Sequence, residues 1–408
     1  MDENVLIERI VRRQEIANEK ILREIGRILG EIGELTPSEV YSIGQQLKYG
    51  ENLQKIVKII SENSQLTEVE IYKMLEHEAK VNLNFSKKYY KAKNVDFIPY
   101  ERNIPLQNLV NEIAIATINE YRNIANTTGI TFLDINKNKV TKGIQVAYSQ
   151  VVDDAITNVV TGKQTFYQSL SDQLKTIGKN GVQSIEYESG YHRRIDSALR
   201  MNLQDGLSQL SIAQQDIMGE QFGADGVEIT THLLPAPDHA DIQGHVFDID
   251  NFNKLQDFEY YGVFSDANGK MYERSSENKI RPIGELNCYH TMFKIVLGVD
   301  DPRYSQEELE KINADNKKGF EFDGKHYTLY EGSQLQRRLE LEIRRDREQN
   351  IGLKSALKNT KDDETIKKLT NDINKTNEHM NKLFTKYHEL SSVSGLKTRL
   401  ERTRILTS

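Results

Sequence analysis

Residues 366–390 read IKKLTNDINKTNEHMNKLFTKYHEL. Ile366, Leu369, Ile373, Thr376, Met380, Leu383, Tyr387 and Leu390 recur at alternating steps of three and four, which places them on one face of a helix. The run is about three and a half heptads long, with Thr376 its one weak position. Just before it, Thr360-Lys-Asp-Asp363 has the form of a capping box, and further upstream Leu335, Leu339 and Ile343 step by four. The simplest object over 331–408 is an antiparallel helical hairpin, or a coiled coil that finds its partner on another chain.

Helical spacing also dominates the amino-terminal side. Ile7, Ile10, Val11, Ile16, Ile21, Ile25 and Leu29 follow a helical period, and Thr36-Pro37-Ser38-Glu39 has the chemistry of a helix start. Gly50, the Ser64–Thr67 stretch and Pro105 punctuate the chain beyond it. Pro105 opens a pattern through Leu106, Val110, Ile113, Thr117, Tyr121 and Ile124 that stops near Thr128-Gly129, and further helical patterns cover 140–160 and 164–177. Residues 1–180 therefore read as an extended, all-helical arm.

The texture changes near Gly181. A helix from Tyr191 to about Met218 carries Arg193, Arg194 and Arg200 on its polar positions; then Gly226-Val-Glu-Ile-Thr-Thr-His232 looks like a strand. A segment rich in Gly, Asp, Asn and aromatics comes next, and Phe320–Thr328 reads as a small hairpin around Asp323-Gly324. The expected fold is mainly α, with a small α+β domain over 181–330 between the helical arm and the carboxy-terminal hairpin or coiled coil.

Composition bounds the function. Of 408 residues only 37 % are hydrophobic and 28 % are charged, which suits extended helices with much solvated surface better than one large core. A single Cys rules out an intrachain disulfide framework, and no apolar run approaches the roughly 18 residues of a membrane span. The start, MDENVLIERI, is charged at once, so no signal peptide is expected, and the protein reads as soluble and made inside the cell. The net charge of −7 is uneven: residues 332–408 hold 17 Lys+Arg against 11 Asp+Glu, so that segment is basic and the remainder acidic.

Three constellations carry chemistry. His232, His239, His245, Cys288 and His290 are ligand types that suit zinc, although Cys288-x-His290 is not the spacing of a standard finger. The favoured expectation for this region is no metal and no cofactor but a hydrogen-bonded polar cluster; zinc at His232, His239, Cys288 and His290 is the minor reading. Asp238, His239 and Cys288 could also serve an enzyme acting on DNA or cell wall, yet no G-x-S-x-G, Walker loop, H-E-x-x-H or C-x-x-C accompanies them. Arg337, Arg338, Arg344 and Arg345 share a helical face but are interleaved with Glu340, Glu342 and Asp346, so intrahelical pairing is their default. The terminal Lys397, Arg399, Arg402 and Arg404 are less balanced by acid and are the better candidates for contacting DNA.

From Gly223 onward a resemblance enters. The strings GADGVEITTHLLPAPDHADIQGHVF (223–247) and RPIGELNCYHTMFKIVLGVDDPRYS (281–305) resemble the minor capsid proteins of tailed bacteriophages, and more closely the phage minor capsid protein 2 family, allied to portal-associated head morphogenesis proteins. That family's pattern is a strand ending in His, a Pro-x-His-x3-Gln-Gly stretch and a distal Asn-Cys-x-His. These elements fall on His232, on Pro237, His239, Gln243 and Gly244, and on Asn287, Cys288 and His290. The helix YHRRIDSALRMNLQDGLSQ (191–209) and the string YTLYEGSQLQRRLELEIRRDR (327–347) are similar in style. The resemblance implies a structural virion protein, not an enzyme, in the head interior at the portal vertex. It would assist head assembly and DNA packaging or ejection, with the portal protein, the major capsid protein and double-stranded DNA as partners and no membrane. His232, Asp238, His239, Gln243, Asn287, Cys288 and His290 would form the polar structural cluster.

Overall fold

A computed structural model describes residues 3–32, 51–180, 184–186, 192–232, 234–284, 288, 290–299 and 301–403. Among them are ten α-helices and eleven short strands, a mainly α chain with a small α+β part. Contacts divide it into two compact units, each assembled from three separate stretches: Met1–Ile7 with Val69–Asn119 and Met201–Ser333, and Glu8–Glu68 with Glu120–Arg200 and Gln334–Ser408. Packing thus groups the chain differently from the consecutive segments 1–180, 181–330 and 331–408, because amphipathic helices bury their stripes against whichever element supplies a matching face.

The second of these units holds the larger part of helices α1 (Glu3–Ile32), α9 (Leu329–Lys358) and α10 (Asp363–Ser394). The helices α9 and α10 form an antiparallel hairpin. Gln336 bonds Ser391, Glu340 accepts from Tyr387, Asp346 meets His379, and Asn350 bonds Asn377, so partners run in opposite directions along the two helices. Every position of the heptad stripe from Ile366 to Leu390 turns at least partly inward, and Thr376, its weak member, is buried and accepts a bond from Gln349. The cap of α10 is Asp362, whose carboxylate accepts from Thr365 N, and not Thr360 as the capping-box pattern suggests. Helix α1 lies close against α9: a Cβ on Gly26 would stand 2.4 Å from Gly352 O, and one on Gly30 would stand 2.6 Å from Ala356 O.

The all-helical reading of the first 180 residues needs one correction. Strands β1 (Gly129–Leu133) and β2 (Lys139–Gly143) form an antiparallel hairpin, which β3 (Ser184–Glu186) and β4 (His192–Arg194) extend to the order β2-β1-β3-β4. Asp134 makes the turn, accepting the backbone N–H groups of Asn136 and Asn138, with Lys137 at a φ of 65°. Helix α4 (Ile144–Val160) consequently starts after the strand, four residues later than the periodicity suggests, and α5 (Phe166–Asn180) comes after it. Ile130 and Phe132 of β1 are fully buried among Tyr148, Val151, Leu170, Leu174 and Ile177 of these two helices, and Ile21, Leu22, Leu353 and Leu369 complete that core.

The helix α2 (Glu51–Ala92) runs unbroken through Ser64–Thr67, where the composition suggests a break, and Thr67 Oγ1 spends its proton on Asn63 O inside its own helix. Helix α3 (Ile104–Thr127) opens with Pro105 in its first turn, and Asn103 accepts from Leu106 N. The Thr36–Glu39 helix start lies outside the described residues.

In the unit that contains 201–333, helix α6 (Ile195–Phe222) leads into β5 (Gly226–Ile229), the centre of the antiparallel sheet β6-β5-β9 with β6 (Val246–Asp248) and β9 (Met292–Ile295). Helix α7 (Ile249–Gln256) and the hairpin of β7 (Gly262–Ser265) with β8 (Met271–Arg274) close over this sheet through Phe247, Phe252, Leu255, Phe264 and Tyr272. Helix α8 (Gln306–Lys318) starts on a complete Ser305–Glu308 capping box, and the hairpin of β10 (Phe320–Phe322) with β11 (Lys325–Tyr327) turns at Asp323-Gly324, both at positive φ.

Candidate functional site: a buried histidine and cysteine cluster

Between the ends of β5 and β9 the chain brings His239, Gln243, Cys288 and His290 together. Residues 236–243 make a short helical turn, with His239 N bonded to Ala236 O and Gln243 N to His239 O, so His239 and Gln243 share one side of it. Gly244, at a φ of 74°, then redirects the chain into β6; a Cβ there would collide with Leu309 and Thr231 side chains. His239, Cys288 and His290 are 1 %, 6 % and 4 % exposed.

The hydrogen bonds assign the tautomers. His239 Nε2 lies 2.9 Å from Arg281 O, and a carbonyl oxygen only accepts, so Nε2 carries the proton. The Gln243 amide is oriented by the backbone N–H of His232, which donates to Oε1 at 3.2 Å; the same Oε1 therefore accepts from His290 Nε2, also at 3.2 Å. Both imidazoles are left with bare Nδ1 lone pairs, and both aim at one sulfur: Cys288 Sγ is 3.5 Å from His239 Nδ1 and 3.4 Å from His290 Nδ1. Backbone groups of Gly284 and His290 also bond Sγ. Burial holds His290 down to about 2 and His239 below the usual imidazole range, and it raises the Cys288 thiol.

Arg281 braces the cluster. Its guanidinium meets Asp238 through bonds from Nε to Oδ2 at 2.6 Å and from Nη2 to Oδ1 at 2.9 Å, while its carbonyl accepts from His239 Nε2–H. Burial raises Asp238, but the hydrogen bonds and charge of Arg281 outweigh it and hold the carboxyl below its ordinary value. Sequence reasoning did not single out Arg281, because no spacing rule links it to Asp238 across 43 residues. The ring of His232 stacks 4.2 Å from that of His290 and is not one of the three ligand-bearing groups that converge. His245 turns away altogether: its Nδ1 bonds Asp266 at 2.6 Å, at the turn between β7 and β8, so it leaves the set of zinc-type residues read along the chain. Asn287 lies outside the described residues.

This geometry does not suit the hydrolytic alternative. A cysteine nucleophile needs a depressed pKa and a base that is itself oriented by a third group. Here the thiol is buried and raised, and Asp238 is committed to Arg281, standing 3.7 Å from His239 Nε2.

The basic candidates divide. Arg402 is mostly buried, 3.2 Å from Glu8 and 4.0 Å from Glu340, whereas Lys397 and Arg399 are exposed; Arg404 lies outside the described residues. Arg194 and Arg200, read as polar positions of a helix, are also interior: Arg194 pairs with Asp196 and Glu348, and Arg200 with Glu8 at 3.0 Å. Arg344 joins them, 2.5 Å from Asp196 and 2.9 Å from Glu15, while Arg345 pairs within its helix with Glu342. No described helix is long and apolar enough to cross a membrane.

Among known families, the one described as phage minor capsid protein 2 matches residues 5–385. Comparison with curated proteins and with solved structures gave no match.

Proposed function

The chain belongs to the phage minor capsid protein 2 family, and from that premise we propose that this structural virion protein sits in the head interior at the portal vertex and assists head assembly and DNA packaging or ejection. The observation that carries the reading is the family match over almost the whole chain, which includes the histidine cluster and most of both helical parts. A protein in this role needs surfaces for other head proteins more than it needs a reactive centre. The ribbon β7–β8 and the loop before it expose Phe258, Tyr261, Val263 and Met271, an apolar group that suits burial by a protein partner such as the portal or major capsid protein. The polar cluster then serves to hold the loops between β5 and β9 in one arrangement, since each buried polar group left unpaired costs about 1–3 kcal/mol. DNA contact falls to Lys397 and Arg399, the exposed members of the terminal basic run.

The test is to quantify the protein in mature virions and in particles emptied of DNA. Presence in virions with loss on emptying supports release with the genome; retention supports a fixed place at the vertex. Absence from purified virions removes the assignment.

A further inference from the structure

The cluster has one proton too few. His239 and His290 each spend the Nε2 proton on an outer acceptor, Arg281 O and Gln243 Oε1, and each presents a bare Nδ1 to Cys288. A thiol has a single hydrogen, so it can satisfy one of these lone pairs and must turn sulfur lone pairs toward the other. Protonating an imidazole is no remedy, since it would place a charge on a ring that is 1 % or 4 % exposed. A cation, in contrast, satisfies all three atoms at once.

We propose that His239 Nδ1, Cys288 Sγ and His290 Nδ1 bind one divalent transition-metal ion, zinc by preference, with a water in the fourth position. The donor set is borderline-soft, two imidazoles and a thiolate, which suits zinc and not calcium or magnesium. In tetrahedral zinc geometry the distance between a sulfur and a nitrogen ligand is about 3.5 Å, given Zn–S of about 2.3 Å and Zn–N of about 2.0 Å. The observed separations are 3.5 and 3.4 Å, and all three ligand atoms lie within 4.8 Å of one another, so the nitrogens need only draw together on binding. The outer partners are those a metal-bound histidine requires: each Nε2–H is anchored on a carbonyl-type oxygen, and Arg281 is itself fixed by Asp238. The backbone N–H of His290 also donates to Sγ, at 3.4 Å, which helps to fix the sulfur between the two rings. On binding, the S–H bond breaks, its proton leaves to solvent and the sulfur electron pair forms the metal bond; no redox change occurs.

The experiment uses the purified full-length chain. Elemental analysis is expected to find about one zinc per chain, falling at least tenfold in Cys288→Ser and His290→Gln and unchanged in His326→Gln, an exposed histidine of the β10–β11 hairpin. After the metal is stripped, cobalt(II) added to the wild-type chain should produce a thiolate charge-transfer band with visible d–d bands of tetrahedral intensity, and Cys288→Ser should lack the former. Chelator should lower the Tm of the wild type and leave that of Cys288→Ser in place. The proposal is overturned if the folded wild-type chain takes up neither zinc nor cobalt, a result that needs no variant to fold. It is equally overturned if His290→Gln takes up cobalt with the same charge-transfer band and stoichiometry as the wild type.

Discussion

At the scale of single residues, Asp196 is a fully buried charge shared between two partners, Arg194 and Arg344, while Glu15 competes for Arg344 from the other side. Burial would raise both carboxyls. Arg344, Arg194 and Arg200 overcome it for Asp196 and hold that group well below the usual carboxylate range, whereas Glu15, repelled by Asp196, rises to about 7. Asp196→Asn leaves two buried guanidiniums short of a counter-charge and should cost about 3–5 kcal/mol in urea unfolding. The two acids have opposite signs in linkage. The contribution of Asp196, with its lowered pKa, is present above the unfolded carboxylate range and is lost as pH falls. That of Glu15, with its raised pKa, is present below about pH 4.5 and is lost as pH rises through about 7. Glu15→Gln should therefore gain Tm relative to the wild type between pH 5 and 8, and a constant difference across that range would contradict the assignment. Gln243→Leu tests the histidine cluster: it strands the His232 N–H and the His290 Nε2–H and should cost about 2 kcal/mol.

Among elements, the contact between α1 and α9 depends on what is missing from their side chains. Gly26 and Gly30 meet the backbone of Gly352 and Ala356, and Ser355 Oγ donates to Arg23 O across the crossing at 2.7 Å. A Cβ at Gly30 would strike a main-chain carbonyl that no rotamer change can move. Gly30→Val should thus cost about 2–3 kcal/mol, read from the urea midpoint, where Ala at an exposed helical Gly would stabilise. The helix α10 was legible in the sequence because its stripe is long, regular and ends near a left-handed Gly395, although the stripe alone left open whether it meets α9 or another chain. The β1–β2 hairpin was not. Its signal is the short alternation Gly129-Ile-Thr-Phe-Leu133, and this is masked by helical patterns on both sides; the turn formed by Asp134 and Asn138 is the local chemistry that marks it.

For the molecule as a whole, charge and exposed apolar surface are the two handles on its partners. Replacing Lys397 and Arg399 with Ala removes the exposed cations of the terminal run, and the slope of DNA affinity against salt should fall by about two if both meet phosphates. An unchanged slope in filter binding would leave the tail without a role in DNA contact. Phe258→Ser with Met271→Ser should change stability by no more than about 0.5 kcal/mol while weakening co-purification with head proteins, because neither side chain is part of the core. By itself the sequence determined the helical majority, the small α+β part, the amphipathic helices at the carboxy terminus and the residue types of the cluster, since these follow from periodicity, capping chemistry and local spacing. Only the tertiary structure decided which charges are interior and which histidines meet. Arg194, Arg344 and Arg402 look solvated along the chain but are paired by carboxylates from distant stretches, the first two in the interior, and His245 leaves its neighbours for Asp266 while His239 and His290 close on Cys288. The reason is physical: a one-dimensional pattern fixes which face of an element a side chain occupies, but the desolvation and pairing of a polar group depend on what the rest of the chain brings to that face.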